Sequence, residues 1–184
     1  MKGQVIWVFS FFCQREWPII DAKCLSLQLK PKNDTSAMKI KLIVVGETRD
    51  NAVRGLTAMY AMRLPHYIPF EIVTVSDSVR RGRTESISDR VEAGDFLVLF
   101  DEHGRELTSR EFAAFIESKA VTLAKNLVFA IGGPFGFDRP TRERANAMIS
   151  LSKMTFPHEL IRPFVVEQIY RAMTIIKGES YHHD

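Results

Sequence analysis

Two five-residue stretches, 96–100 (FLVLF) and 127–131 (LVFAI), are apolar at every position. A strand with one wet face alternates apolar and polar residues, whereas a strand apolar throughout has to be covered on both sides. These two stretches therefore predict inner strands of a parallel sheet, with the helical patterns around them as cover. The same alternation runs through the chain from Met38 onward. Residues 40–46 (IKLIVVG) read as a strand ending in glycine, and 70–75 (FEIVTV) as another. Residues 50–63 place Val53, Leu56, Met59, Tyr60 and Arg63 at helical spacing, with Pro65 as the stop. A short helix is expected over 84–91, behind the turn-like Arg80-Arg81-Gly82-Arg83. Thr108 or Ser109 is suited to cap a helix through Leu123, with Glu111 near its positive end. Further on, 138–148 read as a helix, 149–155 as a last short strand, and 159–177 as a long helix stopped by Gly178. The expected class is α/β, a mostly parallel sheet flanked by helices.

The first 37 residues are unlike the rest. Their apolar run, Val5 to Phe12, is well short of the roughly 20 residues a spanning helix needs, so no membrane crossing is expected. Gln14-Arg15-Glu16-Trp17-Pro18 follows where a signal peptide would have small residues. KPKNDTSA at 30–37 reads as a linker. The expected organisation is an N-terminal extension over 1–37, either disordered or the product of a misassigned start ahead of Met38, and one domain over 38–184. Both cysteines, Cys13 and Cys24, lie in the extension. A disulfide framework is thereby excluded, and a reducing, cytoplasmic setting fits. Lys and Arg total 25 against 22 acids, a net charge of +3. Binding to nucleic acid by bulk charge is excluded, which leaves local patches. The candidates are Arg80, Arg81 and Arg83, and Arg139, Arg142 and Arg144, whose forks suit phosphate oxygens but equally suit a solvated surface.

In open parallel sheets ligands bind beyond the carboxyl ends of the strands. Three segments fall there: Phe100-Asp101-Glu102-His103-Gly104, Ile131-Gly132-Gly133-Pro134-Phe135-Gly136, and 151–158 (LSKMTFPH). Glycines let a backbone approach a ligand closely, yet GGPFG is equally at home in a plain tight turn. Neither Gly-x-x-x-x-Gly-Lys-Ser/Thr nor a Gly-x-Gly-x-x-Gly behind the first strand occurs, which argues against nucleoside triphosphates and dinucleotides. Gly-x-Ser-x-Gly is absent, so Ser152 and His158 do not make a hydrolase. Adjacent His182, His183 and Asp184 do not close a tetrahedral metal shell, and no metal is expected.

The ordered set IKLIVVG, LFDEHG, VFAIGGPFGF, SLSKMTFPHELIRPFVVEQIYRAMTI and the terminal YHH resembles the SPOUT-class ribosomal RNA methyltransferases of the RlmH type, from Met38 to the end. Members of that family methylate N3 of a pseudouridine in large-subunit rRNA. The resemblance implies a C-terminal trefoil knot, a homodimer, S-adenosyl-L-methionine as cofactor, and ribosomal RNA in the assembled ribosome as partner. Carried over by position, the cofactor residues are Phe100, Gly132, Leu151, Ser152, Lys153, Met154, Thr155 and Phe156. Phe100 stands where Leu is usual, and the segment between Ser76 and Asp95 is shorter than usual.

Four residues in the matching segments are candidates for the chemistry. His158 is expected to face the pocket or to cap the last helix. Arg162 is expected to meet an RNA phosphate or a substrate carbonyl, or to lie on a solvated face. Tyr181 and His182 sit on a tail expected either to cover the target base for a dimer partner or simply to fray. Glu167 and Arg171, four apart, are better suited to a helix ion pair than to acid–base work. Leu160, Phe164, Val165, Ile169 and Met173 exceed what one packed helix face needs, which fits burial against both the chain's own sheet and a second subunit, or plain core packing. A non-catalytic ribosome-binding module, or a methyltransferase with another RNA substrate, are the alternative readings.

Overall fold

A computed structural model describes residues 38–76, 79–80, 83–122 and 125–183. The extension over 1–37, Arg81 and Leu123 lie outside the described residues. The elements are β1 (Ile40–Val45), α1 (Asn51–Ala61), β2 (Phe70–Val75), β3 (Val79–Arg80), β4 (Arg83–Thr84), β5 (Phe96–Glu106), α2 (Ser109–Thr122), β6 (Leu127–Ile131), α3 (Arg139–Arg144), β7 (Ala147–Ser150) and α4 (Ile161–Lys177). Five strands form one sheet in the order β2-β1-β6-β5-β7, and every pairing in it is parallel.

β6 is central and buried at all five positions. Its side chains alternate between two cores, as a strand period of two requires. Leu127, Phe129 and Ile131 join Phe112 and Ile116 of α2 and Val165 and Ile169 of α4. Val128 and Ala130 face the opposite side, with Ile87, Val91 and Phe137. Phe129 is the hub of the first core. Its ring stacks on Phe100 at 5.5 Å and meets Phe112 at 5.7 Å.

The helix ends follow local chemistry. Asp50 accepts the N–H groups of Ala52 and Val53 at 2.8 and 3.0 Å and so starts α1. Thr108 and Glu111 exchange hydrogen bonds as a capping box before α2, at 3.2 Å to the Glu111 N–H and 2.8 Å from the Thr108 N–H. α4 stops at Gly178, left-handed with φ 69°.

Four boundaries differ from the sequence expectation. Over 84–91 there is no α-helix: β3 and β4 pair antiparallel, and a 3-10 turn spans Ile87–Arg90. Ser86 and Asp89 cap each other's backbone across that turn, which closes it within four residues. The helix expected over 138–148 ends at Arg144. Asn146 bonds both ways to Leu97, its N–H at 2.8 Å and its Oδ1 at 2.7 Å, and pulls Ala147 into the sheet. The last strand is therefore β7, and 151–157 is loop. β5 runs on to Glu106, because Ile149 pairs with Phe100 and again with Arg105, so 101–104 loop out of the ladder.

Replacing Phe129 with alanine removes the ring on which two others rest. The expected cost is about 3–5 kcal/mol, read as a lower denaturant midpoint at unchanged slope.

Candidate functional site

Beyond the carboxyl ends of β6 and β7, beside the 101–104 stretch where β5 leaves the ladder, lies a cleft of about 490 Å³. Three segments form it, and each is shaped by its own contacts. The 101–104 turn is set by Asp101, whose Oδ1 accepts the His103 N–H at 3.0 Å and lies 2.9 Å from His103 Nδ1. Its Oδ2 accepts from Arg142 Nη2 at 3.1 Å. Burial pushes the Asp101 carboxyl up, but the His103 N–H and ring and the Arg142 charge outweigh it and hold the group below its ordinary value. Gly104 brings the chain back against β7. A Cβ there would lie 2.6 Å from the Ile149 backbone, closer than any side chain tolerates.

The glycine-rich turn is equally tight. Gly136 donates to the Gly133 carbonyl at 2.9 Å, and a Cβ on Gly132 would stand 2.9 Å from the Gly136 carbonyl carbon. Bare backbone at 132–133 therefore faces the cleft, while Phe135 at the tip is fully exposed. The third segment is folded by serines. Ser150 Oγ donates to the Ser152 carbonyl at 2.7 Å and accepts its N–H at 3.2 Å, and Ser152 Oγ accepts the Met154 N–H at 3.0 Å.

Of the residues expected to hold a cofactor, Phe100, Gly132, Leu151, Ser152, Met154, Thr155 and Phe156 line this one cleft, and Lys153 does not. His158 lines it as well. Arg162, Tyr181 and His182 do not.

Arg162 corrects the expectation of a phosphate contact or a solvated face. It is 2% exposed, and its guanidinium donates to the Val45 carbonyl and Thr48 Oγ1 at 2.6 Å each and to the His158 carbonyl at 3.3 Å. Burial lowers its pKa, with Glu159 and Glu47 opposing. Glu159 completes a two-way clasp by accepting the Arg49 N–H at 2.8 Å, a bond that holds its carboxyl below the ordinary value. The first turn of α4 and the loop after β1 thus grip each other.

The tail is not frayed. Tyr181 donates to Glu167 Oε1 at 3.1 Å, meets Tyr170 edge-on at 4.9 Å and lies under the Arg171 guanidinium at 4.9 Å. Burial raises its pKa. His182 Nδ1 is 3.4 Å from Arg171. Glu167 and Arg171 form the expected helix pair at 2.6 Å. Of the α3 arginines, Arg142 pairs with Asp101 and Arg144 donates to the Val91 and Glu92 carbonyls, so these two brace the scaffold, whereas Arg139 pairs with Glu143 one turn on along an exposed face. Of the α4 apolar positions, Val165, Ile169 and Met173 are core, while Leu160 and Phe164 are 41% and 50% exposed.

Sequence reasoning named Asp101 and Arg142 without pairing them, and did not single out Glu159. LFDEHG placed Asp101 at the right strand end, but its partner lies 41 residues away and no spacing rule links them.

Loops that converge at the carboxyl ends of parallel strands are where such sheets hold ligands, and the family match says which class of protein this is. Residues 38–182 match the family model described as "Predicted SPOUT methyltransferase", and the chain belongs to that family. Its relatives carry a more particular name. A "Ribosomal RNA large subunit methyltransferase H" from Cytophaga hutchinsonii is 46% identical over 155 residues, covering 79% of this chain and 100% of that protein. One of the same name from Parabacteroides distasonis is 44% identical over 157 residues, covering 80% and 100%. A solved "probable methylase family protein from Haemophilus influenzae Rd KW20" aligns with a TM-score of 0.49 at 11% identity, covering 82% of this chain and 72% of that one.

Two predictions follow from this geometry. Gly104→Ala must displace the β7 backbone or the 101–104 turn, at a cost of about 1–3 kcal/mol in thermal unfolding. The second concerns acid. Because the Glu159 carboxyl is held below its ordinary 4.5, its contribution is complete above that pH and is lost as the pH falls through the depressed value. The difference in urea stability between parent and Glu159→Gln should be full at about pH 7 and shrink steadily as the pH is lowered below that ordinary value.

Proposed function

We propose that this protein uses S-adenosyl-L-methionine to methylate N3 of a pseudouridine in large-subunit ribosomal RNA, acting in the cytoplasm as a homodimer on the assembled ribosome. The observation that carries the reading is the meeting of the 101–104 turn, the glycine-rich turn and the 151–158 loop in one cleft. Relatives matched over their whole length bear the corresponding name.

The residues present suit such a donor. The volume falls within the roughly 300–1,000 Å³ of small-molecule sites. Phe100, Ile131, Leu151 and Ile161 offer apolar walls, and the bare backbone at Gly132 allows the close approach that a flat heterocycle needs. Phe100 is pinned from behind by Phe129, so this wall is rigid. When bound, the donor supplies a methyl group on a positively charged sulfur.

The chain's own task is to hold the two partners in line and to exclude water. Met154, 75% exposed, and Phe156 form an apolar rim suited to that exclusion. The imide N3–H has to lose its proton during or before attack. Asp101 is engaged at both oxygens, which leaves Glu102, His103 and His158 as proton acceptors at the cleft. Arg162 serves by holding the His158 backbone in place.

A net charge of +3 favours a preassembled ribosomal surface over naked RNA. The fully exposed Phe135 ring at the rim suits stacking on an unpaired base. For the dimer, Phe156, Leu160 and Phe164 form an exposed apolar patch at the start of α4, with the Phe156 and Phe164 rings 6.0 Å apart. Tyr181 and His182, outside their own cleft, serve the cleft of the other subunit.

Mass spectrometry of rRNA from a deletion strain tests the substrate: one methyl missing from a pseudouridine, restored by the gene, is expected, and an unchanged nucleoside would overturn the reading. Phe164→Asp should sediment as a monomer; an unaltered dimer would remove this patch from the interface.

A further inference from the structure

α3 has only six residues, yet its side chains fasten to two different parts of the molecule. Thr141 Oγ1 shares a buried hydrogen bond of 3.1 Å with Ser86 Oγ. Arg144 donates to the Val91 and Glu92 carbonyls at 3.0 and 2.6 Å. Both contacts tie the helix to 86–92, a segment that contributes nothing to the cleft lining. The helix is thereby a fixed mount.

Arg142, between these two anchors, reaches the other way. Its Nε donates to the Phe137 carbonyl at 3.3 Å, and its Nη2 donates to Asp101 Oδ2 at 3.1 Å. That same Nη2 would lie 3.6 Å from a Cβ at Gly136, so the guanidinium covers the end of the glycine-rich turn. The other oxygen of Asp101 is occupied by His103, which gives the 101–104 turn its shape. One guanidinium and one carboxylate therefore join two walls of the cleft that come from different strands. The turns have little freedom of their own: the Gly133–Gly136 bridge closes one, and the contact of Gly104 with β7 closes the other. What remains adjustable is the distance between them, and the Asp101–Arg142 pair spans it.

An exposed ion pair constrains little, because water competes for both partners. Here the Asp101 side chain is only 7% exposed against 44% for Arg142, and both make further hydrogen bonds, so the geometry is directed as well as charged.

We infer that Arg142 is a positioning residue for the methyl donor: with Asp101 it fixes the separation of the 101–104 turn from the glycine-rich turn, and so the width of the slot the donor enters. The inference rests on the methyltransferase reading of this cleft. Ligand affinity responds steeply to such spacing, since apolar walls and backbone groups act only at contact distance.

The test is a double-mutant cycle on the full-length protein. Calorimetric titration with S-adenosyl-L-methionine is run on the parent, Arg142→Gln, Asp101→Asn and the double variant, alongside thermal unfolding and initial rates. Each single change is expected to weaken donor binding about tenfold, or about 1.4 kcal/mol. For Arg142→Gln the donor KM should rise in step while kcat at saturating donor stays within about twofold. The double variant should bind no more weakly than either single one, since both remove the same link. Arg142→Lys keeps the charge without the fork and should fall between parent and Arg142→Gln. Should Asp101→Asn not fold, the Gln and Lys variants of the half-exposed Arg142 still carry the comparison.

Folded variants that bind as tightly as the parent overturn the inference, as does a lower melting temperature with unchanged affinity, or losses that add in the double variant. If the parent takes up no donor, the reading of the cleft itself fails and this inference falls with it; a parent that binds beside variants that bind equally well removes the inference alone.

Discussion

β6 has no surface. With all five of its side chains out of water, helical segments must lie on both sides of the sheet, and the only places left for chemistry are the strand ends. The Phe100–Phe129–Phe112 group shows how this works. The same rings that fill the first core also deliver Phe100 to the mouth of β5, where it becomes a wall of the cleft. The binding wall is an outcrop of the core and shares its rigidity.

The buried strands, α1, α2 and the stop of α4 were legible from the sequence because each depends on neighbours in the chain: apolar runs, Asp50, the Thr108–Glu111 exchange and Gly178. The errors fell where a distant partner decided. Nothing near Asn146 indicates that Leu97 will draw it into the sheet, so the α3 pattern looked longer than it is. The double pairing of Ile149 likewise depends on β5 and β7 meeting, 44 or more residues apart in the register. In the site, the family motif located the lining of the cleft, but not which side chains hold it together. A free arginine and a clasped one are identical in a sequence.

That ambiguity explains the reassigned cations. Arg142, Arg144 and Arg162 each satisfy backbone carbonyls as well as charge, and carbonyls at strand and helix ends are common where a sheet breaks into loops. A guanidinium, with five donors in a fixed plane, bridges such ends better than a lysine could. The irregular rim of the sheet is thus where arginines are recruited for architecture.

All four tyrosines of the chain, Tyr60, Tyr67, Tyr170 and Tyr181, gather at one corner, linked ring to ring at 4.9 to 5.9 Å and held to the tail through Glu167 and Glu179. None of them lines the cleft. Isotope labelling of tyrosine alone would therefore give a magnetic-resonance signal from the carboxyl-terminal corner and nowhere else, with Tyr181 reporting whether that corner meets another subunit.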